Sequence, residues 1–279
     1  MTQPTAVRRV TVDDGVALHV ATWEGGDEVP FLLVHGLSSN LRTWEGVAGR
    51  LVALGHPVAA VDLRGHGRSD KPDHGYEFAT LCSDLLAVVD SVGFERPVVA
   101  GQSTGGNVAV DLALRAPGRV AGVAGVDGGA LELSRQFPQW EACLDALAPP
   151  RLAGTPAEVV EARIRASHPS WSDRGIEVTM ANLERLPDGT VRPWLTFGRH
   201  VQLLRSLWEH RPSTAIPALD VPVLLVLADS GDATLDQKRA VVEGITEAAP
   251  KVQVEWMTGD HDLHVQFPDE LAELLHRSF

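Results

Sequence analysis

Between Phe31 and Val126, short apolar runs alternate with stretches whose apolar residues recur at helical spacing. That rhythm restricts the fold more than any other property of the chain. Phe31-Leu32-Leu33-Val34 is apolar without a break, the pattern of a strand covered on both faces, and Pro57 to Asp62 and Val120 to Val126 follow it. Thr43 to Leu54 and Tyr76 to Val92 carry helical patterns, the second stopping at Gly93. Strands and helices in this alternation build a parallel sheet joined by right-handed crossovers. Upstream, Val7 to Val12 and Ala17 to Trp23 flank Asp13-Asp14-Gly15, a hairpin turn signal that predicts two antiparallel strands. Downstream, Pro222 to Ala228 and Lys251 to Met257 resume the sheet, with a helix over Leu235 to Glu247 and a closing helix over Pro268 to Phe279.

From Leu131 to about Ile216 the rhythm stops. No buried strand run occurs there, prolines recur, and Trp140, Trp171, Trp194 and Trp208 gather with Phe137 and Phe197. An aromatic-rich segment inserted between two sheet strands predicts a mainly helical cap over residues 131–216, on a core of residues 1–130 and 217–279. Most of these aromatics are expected to form the cap's own core, with some facing a pocket beneath it. Asp188-Gly189 marks a turn within it.

The chain has 279 residues, 44% of them hydrophobic, enough for one large core. A formal charge of -13 argues against nucleic acid or an anionic membrane as partner and favours a small-molecule ligand. Cys82 and Cys143 are far apart and lack metal-ligand spacing, so each is expected to be a small buried residue. No signal-peptide pattern or membrane span is legible, and the cytoplasm is the expected location.

Candidate chemistry begins at Val98-Val99-Ala100-Gly101-Gln102-Ser103-Thr104-Gly105-Gly106-Asn107, which reads as strand, sharp turn and helix. A serine held on such a turn projects its hydroxyl clear of the sheet only if its neighbours are nearly free of side chain, as Gly101 and Gly105 are. Thr104 would open the helix, where an unpaired N–H and the helix dipole favour negative charge. Its N–H is one oxyanion donor candidate. Leu37, in the loop after the Phe31 to Val34 strand, supplies a second.

A serine hydroxyl is a weak nucleophile and needs a base held in the right tautomer by a third group. His261, in Gly259-Asp260-His261 after the last strand, is the candidate base. His264 nearby lacks a Glu spaced for zinc hydrolysis, so no metal is expected. For the acid, Asp232 fits the chain order Ser, acid, His and ranks first; Asp127, ending the strand after the serine's helix, ranks second, and Asp229 third. His35 reads as a structural histidine, and Asp62 to Asp70 as a loop whose charges pair with one another to fix its shape.

These landmarks together resemble the α/β-hydrolase fold: His35-Gly36, the Asp62 to Asp70 loop, Gly101-Gln102-Ser103-Thr104-Gly105-Gly106, and Gly259-Asp260-His261 leading to Pro268-Asp269-Glu270. The resemblance covers everything but the cap. It implies an oxyanion hole from Leu37 and Thr104, and an acid after the strand ending at Ala228. There the sequence departs, with Ala228 in place of the usual Gly and a longer loop to Asp232. In some relatives the acid ends the strand after the elbow, as Asp127 would. The expected activity is a cofactor-free serine hydrolase cleaving an ester, lactone or thioester of a small to medium, largely apolar substrate. Serine rather than aspartate at the elbow disfavours epoxide or carbon-halogen hydrolysis. A non-hydrolytic or carbon-carbon-cleaving catalyst, and a ligand-binding protein that retains the fold, are the alternatives.

Overall fold

The computed structural model describes residues 3–231 and 235–279. Among the described residues eleven strands fall in two sheets. The large one contains β1 (Ala6–Thr11), β2 (Ala17–Trp23), β3 (Phe31–Val34), β4 (Val58–Val61), β5 (Val98–Gln102) and β6 (Gly122–Val126), completed by two late strands described below. The helices among them are α1 (Glu45–Ala53), α2 (Phe78–Val92) and α3 (Thr104–Arg115). Then come α4 (Leu133–Gln136), α5 (Trp140–Leu147), β7 (Thr155–Pro156), α6 (Ala157–Ser167), α7 (Asp173–Met180), β8 (Leu183–Arg185), β9 (Thr190–Pro193), α8 (Phe197–Glu209) and α9 (Pro212–Ala215). The chain ends with β10 (Val223–Asp229), α10 (Leu235–Ala248), β11 (Gln253–Thr258), α11 (Leu263–Gln266) and α12 (Pro268–Ser278).

The large sheet has the order β1-β2-β4-β3-β5-β6-β10-β11. β1 and β2 pair antiparallel, as does β2 with β4, and all the later pairs are parallel. Alternate residues along the strands pack on opposite layers. Leu32, Val34, Val99 and Leu225 meet α2, α3 and α10 through Leu85, Val108 and Ile245. Phe31, Leu33, Val98 and Leu224 meet α1 and α12 through Leu51 and Leu275. Burial on both faces explains the unbroken apolar strands, at about 1.5–3 kcal/mol for each large side chain removed from water.

The predicted hairpin forms, with Gly15 at φ 82°, and α2 ends at Gly93 in the left-handed region. The helix expected from Thr43 starts instead as a short 3-10 turn, Leu41–Trp44, capped by the Asn40 side chain. Between β6 and β10 the regular elements are helices apart from the antiparallel sheet β7-β9-β8, which the sequence does not foretell. Its strands are two to four residues long and only partly buried, too short for period-two alternation to register. Both cysteines are free and buried. Among the described residues no helix is long and apolar enough to cross a membrane.

The Asp62 to Asp70 loop is fixed in part by its own hydrogen bonds, among them Gly65 N–H to Asp70 O and Arg68 N–H to Asp62. Its charged side chains form ion pairs with residues outside it rather than with one another, which corrects the expected internal pairing. Arg64 forms a two-pronged pair with Asp84 at 2.7 Å in each contact and also reaches Asp14. Asp62 accepts from Leu41 N–H and Arg68 N–H and bonds His19. Distant segments supply these charges, so local sequence could not reveal them. His35 is structural, as expected: Leu63 N–H donates to its Nε2, so Nδ1 carries the hydrogen given to Gly36 O.

Candidate active site

The parallel sheet brings the ends of β3, β5 and β6 side by side, and the candidate residues follow those ends. Ser103, directly after β5, sits at φ 51° and ψ -122°, and its N–H bonds Val126 O at 3.0 Å. The turn is as tight as the glycine spacing predicts. A Cβ on Gly101 would run into the backbone of Gly105, and one on Gly105 into Val34 O and His35 O. Gly36, after β3, lies against the Ser103 Cβ, and Gly128, after β6, against the Ser103 backbone. Ser103 is therefore flanked by Gly36-Leu37 on one side and Asp127-Gly128 on the other. Thr104 opens α3, so its N–H has no partner within the helix.

Three non-glycine residues adopt positive φ among the described residues: Ser38, Ser103 and Asp127. All three follow these neighbouring strands. Such conformations cost about 1–3 kcal/mol each and collect where surrounding structure holds functional groups in place.

His261 reaches the same edge from the loop after β11. Its carbonyl accepts from Gln102 Nε2, and its Nδ1 lies 2.6 Å from Asp127 Oδ2. The carboxylate on the His261 ring belongs to Asp127, which ranks second to Asp232 in the sequence. Asp232 lies outside the described residues. Asp229 pairs with Arg239 instead. The registration that brings Asp127 to His261 depends on β6 lying beside β10, which the sequence does not spell out.

Lys238 is a residue sequence reasoning missed. From α10 its Nζ lies 2.8 Å from Asp127 Oδ1 and 3.0 Å from Ala228 O, while Ala228 N–H donates to the same Oδ1 at 2.9 Å. A lysine in a polar helical stretch carries no signal of this. Burial works against charge on Asp127, but His261 and Lys238 outweigh it and hold its pKa below the usual carboxylate value. For His261, loss of water around the ring opposes its charge. The bond to Asp127, with the nearby Asp262 carboxylate, prevails and raises its pKa. The ring keeps 52% of its side chain exposed, and Asp127 only 5%.

Two of the cavities adjoin these residues. One, of about 650 Å³, is lined by Asp127, His261 and Lys238. The other, of about 470 Å³, is lined by Leu37 and by Trp194 of the inserted segment. His168 lines both. Its Nδ1 bonds Asp260 at 3.0 Å, and its ring stacks on Trp171, whose Nε1 donates to the same carboxylate. Trp194 is the inserted-segment tryptophan on these walls. Trp171 belongs to a separate cluster with Ile176 and Met180, and Trp140 and Trp208 meet edge to face at 6.0 Å. His264 is fully buried against Trp44, with neither ring nitrogen bonded, and burial lowers its pKa to about 3.

A family model described as the alpha/beta hydrolase family matches residues 31–274. The 2-(acetamidomethylene)succinate hydrolase of Mesorhizobium japonicum is 30% identical over 214 residues, covering 74% of this chain and 73% of that protein. A non-heme chloroperoxidase of Streptomyces lividans is 34% identical over 113 residues, covering 40% of this chain but only 41% of that protein. The crystal structure of an E-2-(acetamidomethylene)succinate hydrolase superposes with a TM-score of 0.81 at 24% identity, covering 98% of both chains, a likeness of fold. Sequence match and sheet order agree: the chain belongs to the alpha/beta hydrolase family.

Proposed function

We propose that the protein is a serine hydrolase of esters, lactones or thioesters with a small-molecule substrate. The observation that carries this is the 2.6 Å bond between Asp127 and His261, on an edge where Ser103 stands in a glycine-lined turn. Asp127 fixes the hydrogen of His261 on Nδ1, which leaves Nε2 as the basic nitrogen. Ser103 Oγ adds to the acyl carbon and passes its proton to Nε2. The Leu37 and Thr104 N–H groups receive the oxyanion. Collapse breaks the bond to the leaving group, which takes the proton from His261. Water repeats the sequence on the acyl-enzyme, releasing the acid and restoring Ser103.

Reaction with a fluorophosphonate probe tests the proposal. Rapid labelling of wild type, absent in Ser103→Ala, is the expected result. A folded wild-type protein that resists the probe would instead be a ligand-binding member of the family.

A further inference from the structure

We infer that His200, in the inserted segment, is a positioning residue for the loop that carries Leu37, so that the inserted segment helps to set the oxyanion site. The inference rests on the hydrolase reading above, which gives Leu37 N–H its oxyanion, and adds what holds that donor in place. Its basis is a chain of two hydrogen bonds. His200 Nε2 lies 3.0 Å from Leu147 O, the last residue of α5, and His200 Nδ1 lies 3.1 Å from Ser38 Oγ. A carbonyl oxygen only accepts, so Nε2 carries the ring hydrogen and Nδ1 is left to accept from the Ser38 hydroxyl. The ring is buried on α8, and burial lowers its pKa, which favours the neutral form that this arrangement needs.

Ser38 follows Leu37 directly and is one of the three described non-glycine residues at positive φ, 60° in its case. A serine seldom takes that conformation unaided. The bonds within the loop engage its neighbours: Ser39 N–H donates to Gly36 O at 3.3 Å, and the Asn40 side-chain oxygen accepts from Arg42 N–H. The Ser38 hydroxyl goes instead to His200, 162 positions away in sequence. Two residues on, Asn40 Nδ2 donates to Val178 O at 3.1 Å and to Asn182 Oδ1. The inserted segment thus grips the loop at Ser38 and again at Asn40, while Gly36 at its start lies against the Ser103 Cβ. Leu37 therefore has fixed backbone on both sides, and the direction of its N–H follows from both. A donor aimed before the reaction needs no reorganisation when the oxyanion forms.

The test separates the two ring nitrogens. In His200→Asn the side-chain oxygen stands close to the place of Nδ1 and accepts from Ser38. In His200→Gln the side-chain amide stands close to the place of Nε2, donates to Leu147 O and leaves Ser38 without its acceptor. With p-nitrophenyl acetate, kcat should fall ~10-fold or more in His200→Gln with KM little changed, and His200→Asn should keep most of the wild-type rate. Ser38→Gly serves where a core substitution unfolds the chain, since glycine takes the positive φ without strain and only the hydroxyl is lost. It should lower kcat similarly, and His200→Gln combined with it should cost nothing more. Equal rates in the Asn and Gln variants, an unchanged kcat in Ser38→Gly, or additive losses in the double variant overturns the inference. Hydrogen exchange reads the same grip without turnover: the amides of residues 37–39 should exchange faster in His200→Gln than in wild type or His200→Asn. Exchange that is the same in all three overturns the inference. Faster exchange in His200→Gln, in a protein whose wild type neither cleaves the ester nor reacts with the fluorophosphonate, leaves the grip standing and removes only the hydrolase proposal.

Discussion

Lys238 Nζ approaches Asp127 Oδ1 at 2.8 Å while His261 Nδ1 holds Oδ2 at 2.6 Å, so one carboxylate is shared between a cation and an imidazole. The lysine charge works against protonation of His261, and the Asp127 and Asp262 carboxylates favour it. Removing that charge in Lys238→Met should raise the His261 pKa further. Because His261 must be neutral to accept the serine proton, the acid limb of kcat/KM should move to higher pH, with Lys238→Arg restoring it. A pH–rate profile of the two variants decides the matter: an unmoved limb in Lys238→Met would mean that the lysine only braces the fold.

Asp127→Asn should lower ester turnover by ~10⁴-fold, because an amide at this position favours the wrong imidazole tautomer. Asp232→Asn is the contrast. Steady-state kinetics of the pair rank the two acids, and a larger loss in Asp232→Asn would assign the role to Asp232, as the chain order favours.

The Asp62 carboxylate is buried and accepts two backbone N–H groups as well as His19. Burial raises its pKa, but the His19 bond, the field of His35 and the two N–H bonds prevail and lower it. A depressed folded-state pKa contributes stability above the unfolded value that is lost as pH falls through the folded one. Asp62→Asn should therefore cost about 2–4 kcal/mol at neutral pH. Thermal melts across a pH series should show the gap between variant and wild type closing in acid, with the difference vanishing below the ordinary aspartate range.

Gly105→Ala places a methyl group against Val34 O and His35 O, where only backbone is available to move. The expected loss is about 1–3 kcal/mol of stability, with a drop in labelling of Ser103 as the turn opens. Denaturant melts and probe kinetics on the same preparation check both; a silent substitution would mean that β3 yields more easily than its buried position suggests.

Much of this site was legible because its serine and histidine announce themselves locally. Gly101 and Gly105 bracket Ser103, and Gly259 precedes His261 just after a strand. Strands β3 to β6 read correctly because each is apolar on both faces. What could not be read depends on which strands become neighbours. Asp127 becomes the partner of His261 only because β6 pairs with β10, and Lys238 joins them only because α10 packs beside that pair. Arg64 is equally opaque, since Asp84 lies on a helix beyond the loop. The three-stranded sheet of the inserted segment escaped because its strands are shorter than the period that would betray them.

The walls of the two cavities beside Asp127 and Leu37 come chiefly from α10 and from the segment between β6 and β10, while the positive-φ residues Ser38, Ser103 and Asp127 belong to the rims of β3, β5 and β6. On the proposed function, most of the residues that would meet a substrate lie on stretches of polypeptide separate from those that would activate the nucleophile. A library confined to residues such as Leu147, Ile164 and Gln237 explores new specificities while the geometry that activates the nucleophile stays fixed. In this sense the molecule is a stationary reaction platform fitted with an exchangeable mould.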